Sequence, residues 1–258
     1  MKEERRAIKM ENHLDFQLIQ PDSSIRDFVY CFSSLKNFCN EHDAVVIPNG
    51  KVDLIFSRSK DNRLQTVLLG LESQPKYPDQ DVNDFFSVSL HPVAVEYILR
   101  FPIADILNSG KLMPDHFWDF HPEDLNDFAG FCSKVTQKIH SLLPEKADPR
   151  KLKLFKLISD FNGEISVGEL SEQVLWSPRE INRYFNKQFG LSMKAYCKIL
   201  RFQASLEHIR EGELYPQLNF TDQSHFIKEI KKLSGVSPKE LHKNDNGRFL
   251  QFLALGRK

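Results

Sequence analysis

Arg179, Asn182, Arg183, Asn186 and Lys187 share one side of a helical segment whose other side is apolar (Ile181, Tyr184, Phe185, Phe189). Those polar types suit base edges. A guanidinium fork meets guanine O6 and N7 together, and a carboxamide does the same for adenine N6 and N7. A second set, Gln223, Ser224, His225, Lys228, Lys231 and Lys232, lies opposite Phe226, Ile230 and Leu233. Its three lysines suit phosphate, which sets register without reading sequence. Helix N-termini would add to that register, with Ser177 opening the first set. The bland alternative for either set is a solvated face that only keeps the domain soluble. His225 has no second histidine or cysteine four residues on, so it reads as a surface histidine rather than a metal ligand.

The two sets lie in copies of one unit. RYFNKQFGLSMKAY (183–196) aligns without a gap on KEIKKLSGVSPKEL (228–241). Phe185 matches Ile230, Gly190 matches Gly235, Ser192 matches Ser237 and Lys194 matches Lys239; further back, Ile181 meets Phe226. A helix, a glycine stop and a serine-opened second helix, occurring twice with a basic outer face, point to two DNA-reading modules in tandem.

The elements that must hold these faces carry clear end signals. Ser166 with Glu169, Ser177 with Glu180 and Ser237 with Glu240 each form a capping box, and Pro178 and Pro238 take the favoured first helical position. A helix over 167–174, a turn at Leu175-Trp176 and a basic helix from 178 to Gly190 predict a helix-turn-helix. The segment 192–212 predicts one long helix with Tyr196, Ile199, Phe202, Leu206 and Ile209 as its buried stripe. At 1.5 Å per residue it spans roughly 27–30 Å, close to the ~34 Å of one DNA turn.

These words resemble the AraC-type (AraC/XylS) transcriptional regulators. The resemblance covers roughly 165–242 and rests on DQSHF (222–226), GVSPKEL (235–241) and KILRFQASLEHIREG (198–212). It implies seven helices, with two helix-turn-helix units joined by a long helix, adjacent major grooves as target, and a separate N-terminal sensing or dimerising domain. PNGKVDLIF (48–56) is similar to the N-terminal module of related bacterial regulators. Two departures stand out. Met193 replaces the usual proline after the serine of the first copy. Only ELYPQLNFT (213–221), interrupted by Pro216, stands where the family has a full supporting helix. A proline inside a helix costs about 3 kcal/mol, so that helix is expected to shrink to a turn, and base reading is expected more from the first unit than from the second.

Charge divides the chain as the motifs do. Residues 1–149 hold 16 Lys and Arg against 23 Asp and Glu, and residues 150–258 hold 19 against 12. An acidic half joined to a basic half predicts two domains, 1–145 for sensing or dimerisation and 150–258 for DNA, split at LPEKADPR (143–150). The fold class expected is α+β, with a small antiparallel sheet or barrel and appended helices before an all-α second half. AVVIP (44–48), Asn49-Gly50 and KVDLIF (51–56) read as a hairpin, and TVLLGL (66–71) and DFFSVSL (84–90) as further strands. Helices are expected over 93–101 and 104–108, closed by Gly110, and over a long stretch within 121–143. In that stretch Leu125, Phe128, Cys132, Val135, Ile139 and Leu142 follow a/d spacing. They either pack on the chain's own sheet or pair with the same helix of a second copy, which makes a homodimer one expected assembly.

The cysteines (Cys31, Cys39, Cys132, Cys197) lack zinc-ligand spacing and read as free thiols of a reducing compartment. No apolar run reaches ~18 residues and the start is highly charged, so the expected location is cytoplasmic, with no membrane partner. No catalytic set, metal site or cofactor motif is read. A metal enzyme using His42, Asp53 and His91 is the weakest rival, because no HxH or HxxE spacing supports it. A partner-binding regulator with one competent reading unit is the other. The expected partners are double-stranded DNA, a small-molecule effector and RNA polymerase. The 21 phenylalanines fit an apolar pocket or a plain aromatic core equally.

Overall fold

The computed structural model describes residues 6–9, 15–36, 45–77, 84–244 and 249. Its first half is an open antiparallel sheet. The strands are β1 (Arg6–Lys9), β2 (Asp15–Ile19), β3 (Val29–Lys36), β4 (Val52–Arg58), β5 (Leu64–Leu69), β6 (Phe85–Leu90) and β7 (Gly110–Leu112), in the order β1-β2-β3-β6-β4-β5-β7. Alternation decides which face is buried. Val52, Leu54 and Phe56 of β4 and Phe86, Val88 and Leu90 of β6 point to one side, where α1 (Phe128–Leu142) covers them. Phe131 sits at the centre of that contact, its ring 5.1 Å from Phe56 and 5.2 Å from Phe86.

Phe128, Cys132, Val135 and Ile139 of the a/d set are buried in this same core, and Leu125 and Leu142 are packed against it. The chain's own sheet fills the seam, so a second copy could reach it only by displacing that sheet.

Several element expectations need correction. Asn49-Gly50 does turn, with Gly50 at φ +70 and Asn49 Oδ1 accepting from Lys51 N at 2.8 Å. The residues before it do not pair with β4, which lies between β5 and β6. Val45 bridges Phe249 and Val46 bridges Lys76 instead. The helix expected over 93–101 is a π-turn, Val95–Leu99, stopped by Arg100 in the left-handed region. That over 104–108 is one 3-10 turn, Ala104–Ile106, and Gly110 opens β7 rather than closing a helix. The stretch 121–143 is interrupted at Asp127. Its carboxylate accepts from Ala129 N and Gly130 N at 3.1 and 3.0 Å and starts α1 there, after a 3-10 segment Pro122–Asn126.

The regular elements of the second half are all helices: α2 (Pro149–Asp160), α3 (Val167–Val174), α4 (Pro178–Phe189), α5 (Met193–Arg210), α6 (Gln223–Ser234) and α7 (Pro238–Lys243). No helix forms between Arg210 and Gln223, so the described residues hold six helices here, one fewer than the resemblance implies. The charge boundary at 143–150 is not a boundary in packing. One apolar core runs from Ile25 of the sheet half through α1 to α4 and ends near Cys197. A second gathers the later part of α5 with α6, α7, Val45, Ile47 and Phe249.

Polar contacts follow the shared core. Glu96 binds Lys151 and accepts from the Tyr184 hydroxyl at 3.1 Å, while Asp148 N donates to the Tyr97 hydroxyl at 2.8 Å. Ile103 N donates to the Gln188 carbonyl at 2.8 Å, and the Tyr196 hydroxyl to the Gly50 carbonyl at 3.2 Å.

Candidate nucleic-acid interface

The first unit is built by its caps. Ser166 Oγ accepts from Glu169 N at 3.2 Å and Glu169 Oε2 from Ser166 N at 2.9 Å, which starts α3. Ser177 and Glu180 repeat the exchange at 3.2 and 2.9 Å and start α4. These bonds hold both glutamate carboxyls below their usual pKa. Leu175 makes the turn in the left-handed region, and Trp176 packs its ring 5.5 Å from Tyr184, with the Arg150 guanidinium over the Trp176 ring at 5.2 Å. Ile181, Phe185 and Phe189 anchor the inner side of α4.

The outer side carries the expected groups. Ser177, Arg179, Arg183, Asn186 and Lys187 are exposed, and Asn182 is half-buried. Among the described residues, Arg179 and Arg183 have no hydrogen-bond or ion-pair partner. Asn182 donates to Pro178 O at 3.0 Å and Asn186 to Asn182 O at 2.8 Å. Each carboxamide has two N–H donors and an acceptor oxygen. One donor and the oxygen therefore remain, which is the pair adenine requires.

The second unit repeats the frame. Phe226 and Ile230 are buried as Ile181 and Phe185 are, and Gly235 and Gly190 end their helices at φ +81 and +74. Ser237 caps α7 as Ser192 caps α5. Lys228, Lys231, Lys232 and Ser224 are exposed. Gln223 and His225 differ from their first-unit counterparts. Gln223 Nε2 donates to the Leu214 carbonyl at 2.8 Å, and His225 Nδ1 accepts from Thr221 N at 3.2 Å, with its other nitrogen 3.9 Å from Glu229. His225 is half-buried against Phe220 rather than a plain surface group. Both side chains hold the segment that replaces the missing helix. Arg201 holds it too, donating to Asn219 O at 2.8 Å, and Glu164 accepts from Asn219 N.

Three exposed groups were not in the expected set. Lys194 and Lys239, matched in the repeat, stand in the first turns of α5 and α7, and the alignment itself is the signal that could have placed them. Leu175 leaves its side chain 82% exposed at the turn, and nothing in the sequence separates it from a core leucine. The rival metal set does not assemble within view. His42 lies outside the described residues, and among those described no three His, Cys, Asp or Glu side chains gather as a metal site.

The family of helix-turn-helix domains HTH_18 matches residues 170–244, from α3 to the end of α7. Residues 170–244 are an AraC-type helix-turn-helix domain. A chain that carries this domain is a DNA-binding regulator. A domain of unknown function, DUF6597, matches residues 17–110 and takes in most of the sheet. No curated protein matches this regulator in sequence at a significant level. Solved structures of ToxT from Vibrio cholerae are similar. An apo variant is 12% identical, with 91% of this chain and 98% of that chain covered at a TM-score of 0.41. Wild-type ToxT with an unsaturated fatty acid bound is 12% identical, with 90% and 96% covered at 0.39. At that level of similarity neither ligand nor residue roles carry over. No helix among the described residues is long and apolar enough to cross a membrane.

Proposed function

We propose that this regulator controls transcription by reading a specific DNA site with α4 and gripping the neighbouring phosphates with α6. Arg179, Asn182 and Arg183 read bases, Asn186 and Lys187 support them, and Lys228, Lys231 and Lys232 supply charge. What carries this reading is the pair of guanidinium groups on α4, exposed and unpartnered on a helix whose opposite side is fully anchored. Such a face has lost the entropy of its backbone already, and binding only has to order two side chains. The sheet half responds to a small molecule, RNA polymerase is the downstream partner, and the protein works in the cytoplasm.

Arg183→Ala tests the assignment in a gel shift against a selected site and a scrambled duplex. Loss of one bidentate contact removes about 1–3 kcal/mol of discrimination. Unchanged preference in the variant would remove Arg183 from the reading set.

A second reading has its own support, because Gln223 and His225 are engaged within the protein. In it the second unit no longer contacts DNA and serves a partner protein. Footprint length separates the two: two adjacent major grooves protected for the first, a single one for the second.

A further inference from the structure

Residues 211–222 carry the chain from α5 to α6 without a helix of their own. Their backbone groups therefore need partners that a helix would have supplied internally. Side chains provide several of them. Gln223 and His225 reach back from α6 to Leu214 O and Thr221 N. Arg201 and Glu164 reach Asn219 from the other side. Arg201 Nη1 donates to Asn219 O at 2.8 Å, and Glu164 accepts from Asn219 N.

These two anchors stand on the first core. Arg201 Nη2 donates to Gly163 O at 3.1 Å, and Glu164 is the next residue. The turn they share is tightly seated. Asn162 and Gly163 both have positive φ, and Gly163 N donates to Ile158 O at 2.8 Å. A Cβ added at Gly163 would stand 2.2 Å from the Cys197 carbonyl, one turn of α5 before Arg201. Ile158 and Ile165, on either side, are buried in the core that the sheet half shares. One guanidinium thus ties a carbonyl of this turn to a carbonyl of the helix-free segment, in charge-assisted bonds roughly twice as strong as neutral ones. It also lies over the Phe220 ring at 5.7 Å, and that ring is 5.1 Å from Phe226 of the second core. Two residues past Phe220, Asp222 starts α6 by accepting from His225 N at 2.8 Å.

We propose that Arg201 and Glu164 are positioning residues for DNA binding by the second unit: they stand in for the absent supporting helix and set where α6 lies relative to α4. The proposal rests on the reading in which α6 grips phosphate. Lys198 pairs with Glu229 at 3.0 Å and ties the middle of α6 to α5. The clamp on Asn219 ties its N-terminal end, and two separated ties fix direction as well as place. Direction matters because Lys228, Lys231 and Lys232 meet one stretch of phosphates together only at one tilt of their helix. Without the clamp α6 stays helical on its own core, and its lysines lose register with the groove that α4 has chosen.

Binding of the full chain to two duplexes tests this. One spans the grooves under α4 and α6, and the other is the same site truncated on the α6 side. Wild type should bind the long duplex more tightly and with a steeper salt slope. Arg201→Met should bind the long duplex about tenfold more weakly and lose about 2–3 of its slope, at ~0.9 for each lysine contact. On the short duplex it should match wild type, which a general loss of stability would not allow. Arg201→Lys keeps the charge without the fork and should recover only part of the loss. Glu164 keeps the test open if Arg201→Met does not fold. Glu164→Ala and Glu164→Gln remove the same charge, but only the second keeps an acceptor for Asn219 N. The alanine variant should therefore bind the long duplex about threefold more weakly than the glutamine variant, and the short one equally. Equal losses on both duplexes, full recovery by lysine, or identical alanine and glutamine variants overturn the proposal. Wild type that does not distinguish the duplexes overturns the phosphate-gripping reading itself, and the proposal with it, so the two failures are distinguishable.

Discussion

Lys228 is exposed on α6 with no partner among the described residues, and its contribution to binding is of a different kind from that of Arg183. A phosphate contact releases a counterion whatever the base sequence. Lys228→Ala should therefore weaken binding to cognate and scrambled duplexes alike and reduce the slope of log K against log salt by about 1. A salt titration of wild type and variant checks this, and an unchanged slope would take Lys228 off the DNA. Glu72 carries a pH prediction. Burial raises its carboxyl to about 7, and its Oε1 accepts no hydrogen bond, with Lys76 3.7 Å away. A folded pKa above the unfolded one means that the native state holds the extra proton between about pH 4.5 and 7. Stability from this group is then present in acid and lost as pH rises through 7. Glu72→Gln should be more stable than wild type at pH 8, by on the order of 2 kcal/mol, with the gap closing by pH 5. Urea melts at both pH values measure it; equal gaps would assign Glu72 another environment.

At the level of elements, the repeat gives a matched pair of glycines with unlike surroundings. Both end a reading helix at positive φ, so either Gly→Ala substitution is strained by about 1 kcal/mol. Gly190 also abuts the sheet half: an added Cβ would stand 2.7 Å from the Ala104 carbonyl, whereas at Gly235 the nearest atom is a Pro75 ring carbon at 3.4 Å. Gly190→Ala should cost roughly 1–3 kcal/mol more than Gly235→Ala, read as the difference in denaturation midpoints. Equal costs would mean that α4 is not docked as described. The same elements show what the sequence makes legible. The Ser–Glu boxes and the glycine stops mark the starts of α3, α4 and α7 and the ends of α4 and α6, because those signals are local hydrogen bonds and backbone sterics. Pairing is not local. Asn49-Gly50 turns as its residues require, yet the partner of β4 is set by which strands share the α1 core, so the expected hairpin does not form. The polar face of α4 was legible from periodicity. The capture of Gln223 by Leu214 was not, since it depends on the path of a helix-free segment whose shortness, but not course, can be read.

Across the whole molecule, composition suggests two bodies and packing joins them. The first reading unit shares its core with the sheet, and the second has its own, to which Val45 and Ile47 contribute from the sheet half. The sheet half thus touches both units, and α5 passes from one core to the other. No periodicity or motif announces that arrangement, because it arises from residues far apart in sequence, such as Gly50 with Tyr196 and Ala104 with Gly190. Its functional consequence rests on two similar helices meeting one duplex. Selection of bound duplexes from a random pool by the full chain tests this most directly. The expected product is a motif with strongly specified bases under α4 and a weakly specified stretch about one helical turn, ~10 bp, away under α6. A selected pool with the same base composition at every position as the starting pool would contradict it.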